Sequence, residues 1–193
     1  MSRDDLLDLF RRSGGLLEGH FRLTSGLHSS GYLQCALVLQ HPQQGEALGR
    51  AIADRTRELR PSVVLSPALG GVVIGQEVAR ALGARALFAE RQDGEMTLRR
   101  GFVISETDRV LVVEDVLTTG GSTRETMQVV KAAGGQVVGA AAIVDRSGPA
   151  RARFDVPFAA LVEIDLPTYE PSVCPLCKQG LPVMKPGSRQ VGA

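Results

Sequence analysis

Apolar and polar positions along the chain follow two periods, and the switching between them sets the expected fold. At the start, Ser2 with Asp5 three residues later is placed to cap a short helix, with Leu6, Leu9 and Phe10 on one face and Gly14-Gly15 ending it. The stretch GHFRLTSGLHSSGYLQCALVLQ alternates as a hairpin or two short strands would, turning around SGLHSSG. Leu48, Ala51, Ile52 and Leu59 then mark a helical face between Pro42 and Arg60. Beyond that point the pattern becomes regular. SVVLS (62–66), RALFAE (85–90), RVLVVED (109–115), QVVGAAAIVD (136–145) and PFAALVEI (157–164) read as strands. VVIGQEVARALG, ending at Gly83, and TRETMQVVKAAGG, stopped by two glycines, read as helices between them. RQDGEMT reads as a polar loop with LRRGFVI (98–104) returning as its hairpin partner, and the Pro- and Gly-rich chain from Pro167 onward as irregular. Strands that are apolar along their whole length, alternating with helices, predict an α/β fold: a mostly parallel, twisted sheet covered on both faces.

The bulk composition narrows the function classes. A chain of 193 residues suits one sizeable domain, and no repeat or interdomain linker divides it. A formal net charge of +1 argues against a broad nucleic-acid surface, so any anion site must be local. Aromatic residues are 4% of the chain, too few for base-stacking platforms. No apolar run is long enough to span a membrane, and MSRDDLLDLF lacks the basic and apolar regions of a signal peptide. Three cysteines, with no even framework, fit a reducing, cytoplasmic setting.

The chemistry falls where strands end, since ligands of open α/β sheets bind beyond the carboxyl ends of the strands. Residues 109–123, RVLVVEDVLTTGGST, carry a buried strand into Glu114-Asp115 and then a small-residue loop. Successive backbone N–H groups in such a loop, with a helix N-terminus behind them, converge on a phosphate, and Thr118, Thr119, Ser122 and Thr123 add hydroxyl donors. The loop is neither GxxxxGK[ST] nor GxGxxG. Two carboxylates ahead of a phosphate cup accept hydrogen bonds from vicinal hydroxyls, so the pair reads as a seat for a ribose phosphate. A second strand-to-glycine loop, SPALGG (66–71), offers backbone amides to a diphosphate. A third, IVDRSG (143–148), puts Arg146 just past a strand, where its planar fork suits a carboxylate.

VLVVEDVLTTGGS resembles, over all thirteen residues, the phosphoribosyl-diphosphate (PRPP) signature of the type I phosphoribosyltransferases. The resemblance implies that Glu114 and Asp115 hold the ribose hydroxyls as catalytic residues. It implies that Val116, Leu117, Thr118, Thr119, Gly120, Gly121 and Ser122 bind the 5′-phosphate end of PRPP, and Leu69 and Gly70 its diphosphate. FRLTSGLHSSGYL is similar to the N-terminal hood of the orotate-using branch, and VDRSG to its orotate-binding arginine motif. FAER, RRGF and CPLCKQGLPVMKPGSR also resemble a bacterial group of that branch, so that the likeness covers about residues 16–187. On that likeness Thr118 and Arg146 contact orotate and Tyr32-Leu33 lie along its ring. It further implies Mg²⁺ carried with PRPP, a homodimer, and a lid over residues 91–101 that reaches the neighbouring copy's site. Within the single domain, 1–193, residues 1–40 would contribute the hood, about 45–165 the core and 167–193 the tail.

The chain departs from the pattern in its lysines. Thr24 stands where the better-known members have lysine before the hood Ser-Gly, Leu69-Gly70 where they have a diphosphate-loop lysine, and ERQDGEMTLRRGF keeps only Arg91 of the lid's charged residues. Arg91 therefore transfers as a catalytic and PRPP-binding residue, with Arg99 and Arg100 as substitute charges. A phosphoribosyltransferase for a purine or uracil and a PRPP-sensing regulator are the alternatives, although only about fifteen residues precede the hood, too few for a helix-turn-helix.

Cys174 and Cys177 form a CPLC knuckle, half of a tetrahedral zinc site, with no second CxxC to complete it. Cys35, one of His20, His28 and His41, or a second subunit would have to supply the rest, and reduced thiols in a proline-rich tail are the expectation. The histidines are expected at the surface or in hydrogen bonds rather than in catalysis, with His28 set apart by its place in the hood.

Overall fold

The computed structural model describes residues 1–23, 25–148 and 153–185. In chain order the elements are α1 (Arg3–Arg12), β1 (Leu16–Arg22), β2 (His28–Leu33), α2 (Cys35–Leu39), α3 (Pro42–Thr56), β3 (Val63–Pro67), α4 (Gly70–Leu82), β4 (Arg85–Gln92) and β5 (Glu95–Leu98). They continue with β6 (Arg109–Leu117), α5 (Gly121–Ala132), β7 (Gln136–Asp145), β8 (Phe158–Glu163), β9 (Thr168–Tyr169) and α6 (Pro175–Lys178). Helix α1 starts on the reciprocal cap its sequence carries: Asp5 N–H donates to Ser2 Oγ at 3.1 Å and Ser2 N–H to Asp5 Oδ2 at 3.0 Å.

The main sheet has six strands in the order β5-β4-β3-β6-β7-β8. All its neighbours are parallel except β4 and β5. Period-two alternation sends neighbouring side chains of each strand to opposite faces. Val64, Leu111, Val113, Ala141 and Ile143 join the core under α3 and α4, whereas Val63, Leu65, Val110, Val112 and Ala140 pack on the face that carries α5. Burial on both faces is why these strands read as continuous apolar runs. A second sheet, β1-β2-β9, is antiparallel throughout and forms the hood.

Three expectations change. The partner of β4 is Glu95–Leu98 rather than 98–104, because Asp93 and Gly94 both take positive φ (53° and 89°) and reverse the chain at once. Among the described residues the chain after Pro167 is not irregular throughout: Thr168 pairs with Ser29, Met184 N–H donates to His20 O at 2.7 Å, and Arg22 N–H donates to Met184 O at 2.8 Å. Backbone pairing to the hood supplies the order that its composition does not announce. Helix α2, with Cys35, Val38 and Leu39 buried, arises inside the stretch expected to be hairpin alone. Among the described residues no helix is long and apolar enough to cross a membrane.

Candidate active site

The carboxyl ends of β3, β6 and β7 lie side by side. Leu117, the last residue of β6, is in register with Asp145, the last of β7, and Arg146 N–H donates to Leu117 O at 2.7 Å. Three residues, 118–120, then lead into α5. Gly120 caps that helix with φ 75°, a left-handed conformation that favours glycine. Thr118 and Thr119 are exposed on the loop. The first-turn N–H groups of α5 have no partner within the helix, and with its positive dipole end they form an anion seat.

Alternation along β6 separates the two acids. Glu114 follows Val110 and Val112 onto the α5 face, where Thr123 Oγ1 donates to its Oε2. Asp115 follows Leu111 and Val113 onto the α4 face. There Val116 N–H donates to Asp115 Oδ1 at 2.9 Å, and a Cβ built on Gly70 would stand 2.7 Å from both carboxylate oxygens. Gly70 is therefore glycine because the Asp115 carboxylate occupies that space. Burial, above all, pushes both carboxyls above the usual range; the Thr123 hydrogen bond opposes this at Glu114 and backbone hydrogen bonds at Asp115.

The β3–α4 loop meets Asp115 from the other side. Its Ala68–Leu69 peptide is cis, Ala68 N–H donates to Ala89 O at 2.7 Å, and the Leu69 side chain is 88% exposed. The first turn of α4, at Gly70, thus stands directly against the Asp115 carboxylate.

Next to these loops lies a cleft of ≈ 850 Å³. Thr118 and Thr119 form its floor with Arg146, Ser147 and Gly148; Leu23, Ser25 and Leu27 of the β1–β2 turn wall one side, and Asp165–Thr168 another. Arg146 is half-buried here. Its Nε is buried without a hydrogen-bond partner, and desolvation pushes the guanidinium below its ordinary pKa. A cation desolvated without a counter-charge is costly, so the site favours an anion that brings one.

The structure gathers some of the expected residues here and places others elsewhere. Thr118 and Arg146 share the cleft; Glu114 and Asp115, near the end of β6, and Leu69 and Gly70, at the start of α4, are not among the residues that line it. Leu33 is 8% exposed and belongs to the core, and Tyr32 packs against Phe21 with ring centroids 6.0 Å apart and planes tilted by 42°; neither side chain lines the cleft. Arg91 pairs with Glu125 of α5 at 2.5 Å and donates to Gly94 O at 2.7 Å. Arg99 and Arg100 both engage Glu90, at 3.2 and 2.9 Å, and Arg100 also lies over Phe88. Thr24 lies outside the described residues. Sequence reasoning did not single out Arg124, whose Nη1 donates to Thr119 O at 2.8 Å; its place in the first turns of the helix behind the loop was the available signal. The wall at Asp165–Thr168 had no signal, because it depends on β9 returning to the hood.

Comparison with known proteins follows the same geometry. Residues 36–157 match the phosphoribosyl transferase domain family. The chain is 54% identical over 191 residues to an orotate phosphoribosyltransferase of Pelotomaculum thermopropionicum, covering 99% of this chain and 100% of that one. It is also 54% identical over 191 residues to the enzyme of that name from Heliobacterium modesticaldum, covering 98% and 100%. Among solved structures it is similar to the Mycobacterium tuberculosis orotate phosphoribosyltransferase in complex with inorganic phosphate, with a TM-score of 0.68, 27% identity and coverage of 83% and 95%. The fold alone is shared with the adenine phosphoribosyltransferase of Thermoanaerobacter pseudethanolicus, at a TM-score of 0.61, 15% identity and coverage of 69% and 88%.

Proposed function

We propose that this chain, which belongs to the phosphoribosyltransferase family, transfers the 5-phosphoribosyl group of PRPP to orotate, giving orotidine 5′-phosphate and diphosphate in pyrimidine nucleotide synthesis. The observation that carries the choice of base is Arg146: a half-buried guanidinium with an unpartnered Nε, facing a cleft beside the phosphate loop. Orotate differs from uracil and the purines by its carboxylate, and a guanidinium fork pairs with a carboxylate through two parallel N–H···O bonds.

The amides and hydroxyls of 118–122 hold the 5′-phosphate, and the first-turn amides of α4, beside Leu69 and Gly70, hold the diphosphate. The C1–O bond to diphosphate breaks, its electron pair leaving with that group, and C1 takes on oxocarbenium character. Orotate N1 then forms the C1–N1 bond from the opposite face, its proton passing to solvent. Asp115 and Glu114 accept from the ribose hydroxyls and favour the positive charge developing on the ring. The donor set near the diphosphate consists of hard carboxylate oxygens, which suits Mg²⁺. Asp115, whose carboxylate stands beside Gly70, would help hold such an ion carried with PRPP, which would supply positive charge to offset that of the departing diphosphate.

Arg91 serves the diphosphate from the lid, formed by residues 91–101, which closes over the site and excludes water. Its pair with Glu125 is half-exposed on both sides, so releasing it costs about 1 kcal/mol or less. In the homodimer this reading carries, the lid reaches the neighbouring copy's site. Orotate consumption, followed by ultraviolet absorbance with PRPP and Mg²⁺, is the test, with uracil, adenine and hypoxanthine as competing bases and a chelator control. Turnover of another base in place of orotate would overturn the reading.

A further inference from the structure

Away from the cleft floor, four side chains that the proposed reaction does not use converge beneath the hood. His20 on β1, His28 on β2, and Cys174 and Cys177 on either side of Pro175-Leu176 bring their ligand atoms within 4.8 Å of one another. His20 (2% exposed), His28 (6%) and Cys174 (0%) are buried, and Cys177 closes the outer side. We propose that this cluster is a structural zinc site of the Cys₂His₂ type, clamping the C-terminal tail to the hood.

The distances fit one small tetrahedral ion. Zinc–sulfur and zinc–nitrogen bonds of about 2.3 and 2.05 Å imply sulfur–nitrogen edges of about 3.6 Å and a nitrogen–nitrogen edge of about 3.3 Å. Cys174 Sγ lies 3.6 Å from His20 Nε2, and Cys177 Sγ lies 3.7 Å from His20 Nε2 and 3.3 Å from His28 Nδ1. The two imidazole nitrogens are 2.8 Å apart and open by about half an ångström around the ion. Without a metal that contact is an N–H···N hydrogen bond. With one, both lone pairs turn inward and the proton of His28 sits on Nε2. His20 is already oriented for this, because its Nδ1–H donates to Leu181 O at 2.8 Å and leaves Nε2 free to ligate. Soft thiolates with imidazoles in a closed tetrahedron select zinc among the abundant divalent ions.

The two halves of the site are remote in sequence: His28 and Cys177 are separated by 149 positions. Without a clamp, the tail holds the hood through the two-residue strand β9, the Met184 bridge and a few side-chain contacts. The histidines lie on either side of the turn that supplies Leu23, Ser25 and Leu27 to the cleft, and the cysteines follow the Asp165–Thr168 wall. The ion therefore ties together both cleft walls that stand above the sheet. Cys35 takes no part: it is buried in the main core.

Metal content reads the site independently of which base the cleft accepts. The full chain, produced with zinc and purified without chelator, is expected to hold about one zinc per chain by plasma mass spectrometry. Cobalt exchange should give the intense visible bands of a tetrahedral site with thiolate-to-cobalt charge transfer in the near ultraviolet. Cys177→Ser and His28→Ala should lose the metal and melt about 5–10 °C lower, whereas Cys35→Ser should keep it. If a ligand variant does not fold, titrating the wild-type thiols with a mercurial and following zinc release decides the matter. A zinc-free chain with a weak octahedral cobalt spectrum, iron in place of zinc, a 174–177 disulfide in the purified protein, or zinc kept in Cys177→Ser would each overturn the site.

Discussion

Arg146 and Asp115 are both held in environments that work against their own charge, and that is where their chemistry lies. A guanidinium desolvated in the cleft it shares with Thr118 and Thr119 gains most from a ligand that carries a carboxylate. Arg146→Ala should raise the KM for orotate about 100-fold, the worth of a charge-assisted pair, while the KM for PRPP stays within about 3-fold. Arg146→Lys should fall between, keeping charge and losing the fork. Steady-state kinetics with each substrate varied in turn checks this; equal losses for both would take Arg146 out of the base site. Asp115 shows the same conflict in its stability. Burial raises its pKa in the folded chain, so just above the ordinary carboxylate range the folded state holds a proton that the unfolded state has released. Stability therefore falls as pH rises through that window. Asp115→Asn keeps an acceptor for Val116 N–H and removes the charge. It should cut kcat about 10²–10³-fold yet raise Tm at pH 7, with the gain vanishing once both states are protonated. Calorimetry at pH 7 and well below the ordinary 3.8, near pH 2.5, measures it; an unchanged Tm at pH 7 would remove the burial penalty as its cause.

The elements divide the molecule into a functional and a stabilising edge. At the amino ends of the strands, opposite the cleft, Asp108 gathers Ser105 N–H at 2.8 Å, Ser105 Oγ at 3.0 Å, Arg85 Nη2 at 2.7 Å and Ser62 Oγ at 3.1 Å. The backbone hydrogen bond from Ser105 leads in holding its carboxyl at about 2, below the ordinary 3.8, aided by Arg85, Ser105 and Ser62. A depressed pKa stabilises above 3.8 and is lost as pH falls through about 2. The side chain is 12% exposed, so Asp108→Asn should cost roughly 1–2 kcal/mol at pH 7, little near pH 2, and leave kcat unchanged. Urea titrations at several pH values test it, and a loss independent of pH would refute the electrostatic account. The strands of the main sheet were legible in the sequence because both faces are buried, which leaves continuous apolar runs ended by glycines; β7 falls on Gln136–Asp145 as read. The strand partner of β4 was misplaced because the Asp93-Gly94 turn signal was passed over in favour of the more apolar run behind it. Strand β9 and helix α6 were not legible at all. The order of β9 comes from backbone pairing to a hood some 140 residues earlier, and α6 meets that hood through Cys177, whose Sγ lies 3.3 Å from His28 Nδ1; composition carries no trace of the pairing. The loop between β6 and α5 could be read from one contiguous stretch, whereas the cleft walls come from two segments far apart in the chain, one holding Leu23, Ser25 and Leu27 and the other Asp165 to Thr168.

At the scale of the whole molecule the chain begins in the hood, builds the core and returns to the hood, so the cleft is closed by contacts between its two ends. Leu16 and Leu33 of the hood share one core with Leu161, Val162 and Ile164 from the end of the main sheet. Leu166 packs on that core and also lines the cleft. It meets the hood at Gly31, where an added Cβ would stand 2.6 Å from Leu166 Cδ2 and 3.3 Å from Cδ1. Gly31 sits in β2 opposite Glu18, with none of the positive φ that would make alanine strained. Gly31→Ala therefore acts through Leu166 alone, driving it toward the space assigned to the base. The expected result is a KM for orotate raised about 5–10-fold, PRPP affinity within about 2-fold, and Tm lowered by a few degrees, the cost of overpacking by one methyl group. Leu166→Ala empties the space that the methyl group needs, so the double variant should lie closer to Leu166→Ala than the sum of the single changes, with a coupling of about 1 kcal/mol. Additive effects on the orotate KM would mean that Gly31 and Leu166 do not set the cleft wall together. An unchanged KM in Gly31→Ala, with Leu166 shown to have moved, would place the base elsewhere in the cleft.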